Sequence, residues 1–149
     1  MRKKILINLG NINVGGGVQS AKWLMSSLAD NCIDDFEFYF VVSQKVYDNI
    51  DSPYISGSNL TLVKSKAALR EQLQEVIMNF NPDLVYSLFG PLYFNLTAPH
   101  LMGFANGWFT HSSLSTFRNV YKKNYRLFIR GILKQFYTFL HVRKADYWL

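Results

Sequence analysis

The chain has 149 residues, 49% hydrophobic and 16% aromatic, which is enough apolar material for one substantial core and too much for a disordered polypeptide. A single cysteine, Cys32, excludes an internal disulfide, and no His/Cys cluster has metal-ligand spacing, so a reducing, cytoplasmic setting without metal is expected. The net charge of +6 lies wholly in the second half: residues 1 to 83 carry eight Lys/Arg against nine Asp/Glu, and residues 84 to 149 carry eight against Asp146 alone. That asymmetry points to an anionic partner, whether a membrane, a nucleic acid or a phosphorylated substrate.

The opening "MRKKILINLG" has the positive flank of a signal peptide, but Asn8 and Gly10 break the apolar run too early for one. A first strand over "KKILINL" is the better reading. No stretch of about 18 uninterrupted apolar residues occurs, so no segment is expected to span a bilayer. After the strand come Gly15, Gly16 and Gly17, and then Val18, Ala21, Leu24, Met25 and Leu28, which share one helical face. The unit is strand, glycine turn, helix. "FEFYFVVS", Phe36 to Ser43, is a second strand by its aromatic and β-branched content. Tyr47 to Gly57 reads as an irregular connection leading to a short strand in "NLTLV", Asn59 to Val63.

Ser65 is placed to cap a helix in which Leu69, Leu73, Val76, Ile77 and Phe80 recur at helical spacing until "NFNPD" stops it. "DLVYSLF", Asp83 to Phe89, makes a fourth strand, turned by Gly90 and Pro91, and "HLMGFA", His100 to Ala105, a fifth that ends at "NGWFTHSS". A long helix over roughly Phe117 to Leu140 and a final strand in "ADYWL" complete the pattern. Strands alternating with helices predict an α/β, Rossmann-like fold: one open, mainly parallel sheet with helices on both faces. Ligands of such sheets bind beyond the carboxyl ends of the strands, where the glycine turn, Gly90 and the "NGWFTH" segment all fall.

A glycine turn at that position lets the chain take positive φ and lets another molecule approach the backbone, and the helix start offers free N–H groups to a phosphate. A tight turn that merely packs helix on sheet is the other reading. A dinucleotide fingerprint needs a third glycine or alanine where Ser20 stands, and "VVSQK" has no ribose-binding acid at the end of the second strand. The Lys-Ser/Thr of a P-loop is missing too. Nicotinamide and simple NTPase functions lose support on these grounds.

Taken together, "KILINLGNINVGGGVQSAKWLMSSLAD", "NPDLVYSLFGP", "PHLMGFANGWF" and "RKADYWL" resemble, in order and spacing, the amino-terminal half of a GT-B glycosyltransferase, most like family 4 of the retaining, nucleotide-sugar-dependent enzymes. The resemblance spans nearly the whole chain. It implies an acceptor-side domain whose carboxy-terminal partner domain, with a Glu-x7-Glu motif, grips the nucleotide. That domain is not in this chain, which is therefore expected to be inert alone. It implies no cofactor and no metal, a nucleotide-sugar as donor substrate, a glycan or lipid-linked acceptor, and a role in bacterial cell-surface polysaccharide or glycolipid synthesis. It also implies a cleft that holds the donor diphosphate and the acceptor, formed by Gly15, Gly16, Gly17, Val18, Gln19, Gly90, Asn106, Gly107 and His111. Asn106 stands where relatives often carry histidine, and asparagine cannot transfer a proton; His111, five residues on, is the alternative. A non-enzymatic α/β module that holds a phosphate or sugar remains the competing reading.

The basic residues have a pattern of their own. Arg118, Lys122, Arg126, Arg130 and Lys134 recur at every fourth position, with Lys123 beside them, next to apolar Phe117, Tyr121, Phe128, Ile132, Phe136 and Leu140. No acid occurs from Leu84 to Ala145, so this face lacks the i,i+4 acid–base pairs of an ordinary solvated helix. A peripheral contact with an anionic membrane surface, on the inner face of the cytoplasmic membrane, is expected. The sequence has no helix-turn-helix spacing, zinc-finger pattern or aromatic RNP-like strand, so no nucleic-acid partner is expected.

Overall fold

Six strands build one all-parallel sheet in the order β3-β2-β1-β4-β5-β6. The computed structural model describes residues 2–30, 35–50, 59–103, 113–120 and 124–149. The strands are β1 (Lys3–Leu9), β2 (Phe36–Ser43), β3 (Leu60–Val63), β4 (Leu84–Ser87), β5 (His100–Met102) and β6 (Tyr147–Trp148). The helices are α1 (Gly15–Asp30), α2 (Gln44–Tyr47), α3 (Leu69–Phe80), α4 (Leu114–Val120) and α5 (Tyr125–Val142).

The alternation of β1 sorts its neighbours onto two faces. Ile7 and Leu9 pack with Val18, Ala21 and Met25 of α1 and Val46 of α2, whereas Leu6 packs with Leu69, Leu73, Val76, Ile77 and Phe80 of α3. Every apolar position of the α3 pattern is buried, so its helical spacing reports a real core face. Helices on both faces of a parallel sheet, in this strand order, make a Rossmann-like α/β fold. At the amino ends of the strands, Asp83 Oδ2 accepts from the Lys4 backbone N–H at 2.8 Å while the Asp83 N–H donates to the Lys4 carbonyl at 2.8 Å. Asp83 thus fixes the start of β4 against β1.

Four local details add to or correct the expectations. First, a short helix, α2, follows β2 directly and ends at Tyr47, where the irregular connection is expected to begin; Ser43 Oγ caps it by accepting from Val46 N–H at 3.3 Å. Second, Ser65 caps the turn before α3, accepting from Ala68 N–H at 3.2 Å, and the capping position of α3 itself is Ala68. Third, the single long helix is two: Asn124, in extended conformation (φ −138, ψ 90), accepts from Leu127 N–H at 3.1 Å and starts α5 afresh after α4. The basic stripe is therefore divided, with Arg118 on α4 and Arg126, Arg130 and Lys134 exposed on α5. Fourth, no described glycine has positive φ; Gly15, Gly16 and Gly17 are the first residues of α1.

Candidate functional site

In the order β3-β2-β1-β4-β5-β6, β1 and β4 are the central neighbours, and α1 and α3 lie on opposite faces of the sheet. The crevice of such a sheet opens beyond the carboxyl ends of these two strands. One wall is the segment Gly10 to Gly17 after β1, and the other is Leu88 to Phe94 after β4.

The first wall is held from three sides. The Gly10 N–H donates to Asn8 Oδ1 at 3.1 Å, the Ser43 hydroxyl donates to the Ile12 carbonyl, and Asn11 Nδ2 donates to the Phe89 carbonyl at 2.5 Å. The Leu88 N–H also donates to the Asn8 carbonyl at 3.3 Å. These bonds tie the turn to β2 on one side and to the end of β4 on the other. The walls of the crevice are therefore fixed before any ligand arrives.

At the end of this turn α1 begins. The Val18 N–H makes the first intrahelical bond, to the Val14 carbonyl at 3.0 Å, so the amides of Gly15, Gly16 and Gly17 precede the helical ladder. They point out of the positive end of a 16-residue helix with no acid in its first turn. A Cβ at Gly15 or Gly16 would meet nothing within 4 Å among the described residues, whereas one at Gly17 would come within 3.0 Å of Ile12 and 3.3 Å of the Phe89 ring. Packing within the chain explains Gly17. It does not explain Gly15 and Gly16, whose bare backbones leave the helix start open to a body outside the fold. Val18 is buried in the core and contributes packing, and Gln19 is exposed one step along the helix.

Gly90 is fixed by packing. A Cβ there would lie 2.0 Å from Sδ of the buried Met102, and its N–H donates to the Gly103 carbonyl at 2.8 Å, extending the β4–β5 pairing. Gly90 also borders a cavity of about 370 Å³ on the α3 side, lined by Asn11, Lys66, Arg70, Tyr93 and Phe94 among others. The remaining expected cleft residues, Asn106, Gly107 and His111, lie outside the described residues, as do Lys122 and Lys123 of the basic stripe.

The sequence reading passed over a buried polar chain directly beneath the crevice. Asn8 and Ser87 are register partners on β1 and β4, and His100 starts β5 two residues before Met102, the partner of Ser87; Asn8 Nδ2 donates to Ser87 Oγ at 3.1 Å, and Ser87 Oγ lies 2.9 Å from His100 Nε2. All three are buried. Burial lowers the His100 pKa, and the charge of Asp146, whose Oδ2 accepts from the His100 backbone N–H at 2.8 Å, acts in the opposite direction. The signal for this chain was the polar Asn8 inside an apolar strand.

The long helix α5 touches the crevice wall only near its end. The Tyr93 ring stacks on Tyr137 at 5.4 Å between centroids and sits 5.2 Å from His141. Elsewhere α5 is open: Tyr125, Ile129, Leu133, Phe136 and Leu140 form one exposed apolar stripe at helical spacing, flanked by exposed Arg126, Arg130 and Lys134. None of the helices, among the described residues, is long and apolar enough to cross a membrane. No group of three or more His, Cys, Asp or Glu among them is placed to hold a metal ion. Compared with known proteins, the sequence matches no family model, and no curated protein matches it.

Proposed function

We propose that this chain is the amino-terminal, acceptor-side domain of a retaining, nucleotide-sugar-dependent glycosyltransferase of the GT-B type, acting on glycans or lipid-linked acceptors of a bacterial cell surface. One observation carries the reading: the start of α1 is left bare by Gly15 and Gly16 at the carboxyl edge of the sheet, where an anion can approach three amides ahead of the helical ladder. The end of β2, Ser43 and Gln44, offers no acid for a nucleotide ribose, so this half takes a diphosphate without gripping a nucleoside.

Transfer with retention builds positive charge on the departing sugar and negative charge on the diphosphate it leaves. Amides fixed in a pre-formed turn stabilise that negative charge without reorganising. The nucleoside would be held by a second domain across the crevice. The stripe and basic flank of α5 suit attachment to an anionic leaflet, where apolar side chains enter the interface and cations meet lipid headgroups.

The test is transfer of labelled sugar by a protein comprising this chain and the reading frame downstream of it. A second strand–helix repeat carrying Glu-x7-Glu, with transfer lost in Gly16→Asp, is the expected result. A stop codon after Leu149 would leave a non-enzymatic phosphate- or sugar-binding module instead.

A further inference from the structure

The glycine turn occupies only the α1 side of the crevice. On the α3 side lies the cavity of about 370 Å³, within the size range of small-ligand sites. Asn11, whose Nδ2 donates to the Phe89 carbonyl and so joins the turn after β1 to the end of β4, also lines this cavity.

The composition of this cavity is specific. Leu69, Leu92, Tyr93 and Phe94 give it apolar and aromatic walls, and Lys66 and Arg70 are the only charged lining residues among those described. Lys66, in the turn before α3, and Arg70, in its first turn, are four residues apart, and neither has a carboxylate partner among the described residues. The capping position of α3, Ala68, supplies no side-chain bond, and the first intrahelical N–H is that of Gln72, bonded to Ala68 at 3.0 Å. The adjacent acid, Glu71, is not part of the lining. Asn11, which lines the cavity, carries a buried acceptor, Oδ1, that has no donor among the described residues. Aromatic walls suit the C–H faces of a sugar ring, a guanidinium beside an ammonium suits a carboxylate or phosphate, and an unpaired amide oxygen suits a hydroxyl.

We infer that the cavity between Asn11, the start of α3 and the Gly90–Phe94 segment binds a sugar that carries an acidic group, with Lys66 and Arg70 holding the acid. As the subsite of a transferase acceptor it rests on the function proposed above; as a binding site it stands without it.

Isothermal titration of the 149-residue chain with glucose, glucuronate, glucose 6-phosphate and inorganic phosphate tests the inference. At least one acidic sugar binds ten times or more tighter than glucose, and Lys66→Gln/Arg70→Gln, both exposed changes, brings it to within twofold of glucose. The tighter of glucuronate and glucose 6-phosphate tells whether the acid is a carboxylate or a phosphate. A control of equal charge change, Arg143→Gln/Lys144→Gln, both exposed, leaves binding as it was. Equal binding of glucose and both acidic sugars overturns the inference, as does unaltered binding in the double variant or inorganic phosphate binding as tightly as glucose 6-phosphate. No donor sugar enters this measurement. Binding without transfer by the extended protein would therefore fail the transferase reading alone, and transfer without selective binding would fail this inference alone.

Discussion

Ser87 Oγ and His100 Nε2 lie 2.9 Å apart in a buried chain that begins at the Gly10 amide and runs through Asn8. Because Ser87 already accepts from Asn8, its single proton is available for Nε2, which suits a neutral imidazole. Burial pushes the His100 pKa down, against the opposing pull of Asp146. The unfolded chain, in which His100 has an ordinary pKa of about 6.5, then binds the proton more readily than the folded one. Stability from this group is complete above that value and is lost as pH falls through it towards the lower, folded pKa. Urea midpoints at pH 7.5 and 5.5 should fall more steeply with acid for the wild type than for His100→Gln. Parallel midpoints would show that His100 does not titrate between the two states.

Asn8 serves two partners at once, accepting from the Gly10 N–H and donating to Ser87. Asn8→Ala leaves the Gly10 amide without its acceptor and Ser87 without its donor, in a position shut off from water. The expected cost is about 1–3 kcal/mol, read from urea unfolding. Ser87→Ala should cost less on the Asn8→Ala background than alone, since the shared bond is already gone. Additive losses would mean that the two side chains act independently.

Much of this fold was legible in the sequence, and the parts that were not share a cause. The spans Lys3–Leu9 and Phe36–Ser43 were readable because apolar runs there meet glycine or polar residues at their ends, and α3 was readable because its five apolar positions face one core. The break before α5 was not, because a capping Asn124 interrupts a periodicity that continues on both sides of it. The chain through Asn8, Ser87 and His100 depends on strand register, and no local pattern relates residues 79 positions apart. The cavity shows the same limit, since Asn11 meets Lys66 and Arg70 only once α3 has crossed to the other face of the sheet. The glycines divide similarly: Gly15 to Gly17 announce a turn in sequence, but which of them face open space depends on where Ile12 and Phe89 sit.

That division yields a contrast between two alanine substitutions. At Gly16 the new methyl meets nothing within 4 Å among the described residues and the residue is already helical, so Gly16→Ala should stabilise the chain by up to about 1 kcal/mol. At Gly90 the methyl would overlap the Sδ and Cγ atoms of Met102, which is buried and must shift within the core, so Gly90→Ala should destabilise by about 1–3 kcal/mol. Thermal melts of the two variants read both signs. A destabilised Gly16→Ala would mean that the glycine is there for the fold, and would remove the reason for placing an anion at the start of α1.

The exposed stripe of α5 makes the last prediction. The stripe's five large apolar side chains, Tyr125, Ile129, Leu133, Phe136 and Leu140, stand open to solvent beside Arg126, Arg130 and Lys134, with no acid anywhere on the helix. Each cation near an anionic leaflet contributes about 1 kcal/mol, so the three together amount to roughly a hundredfold in partitioning. Flotation with vesicles rich in phosphatidylserine should recover the wild-type chain, and phosphatidylcholine vesicles should recover far less. Replacing the three cations by glutamine should abolish the difference, while Leu133→Ser/Phe136→Ser should weaken recovery in both lipids, because the apolar contribution does not depend on headgroup charge. Equal recovery in the two lipids by the wild type would remove the electrostatic contribution of Arg126, Arg130 and Lys134, since apolar insertion alone ignores headgroup charge.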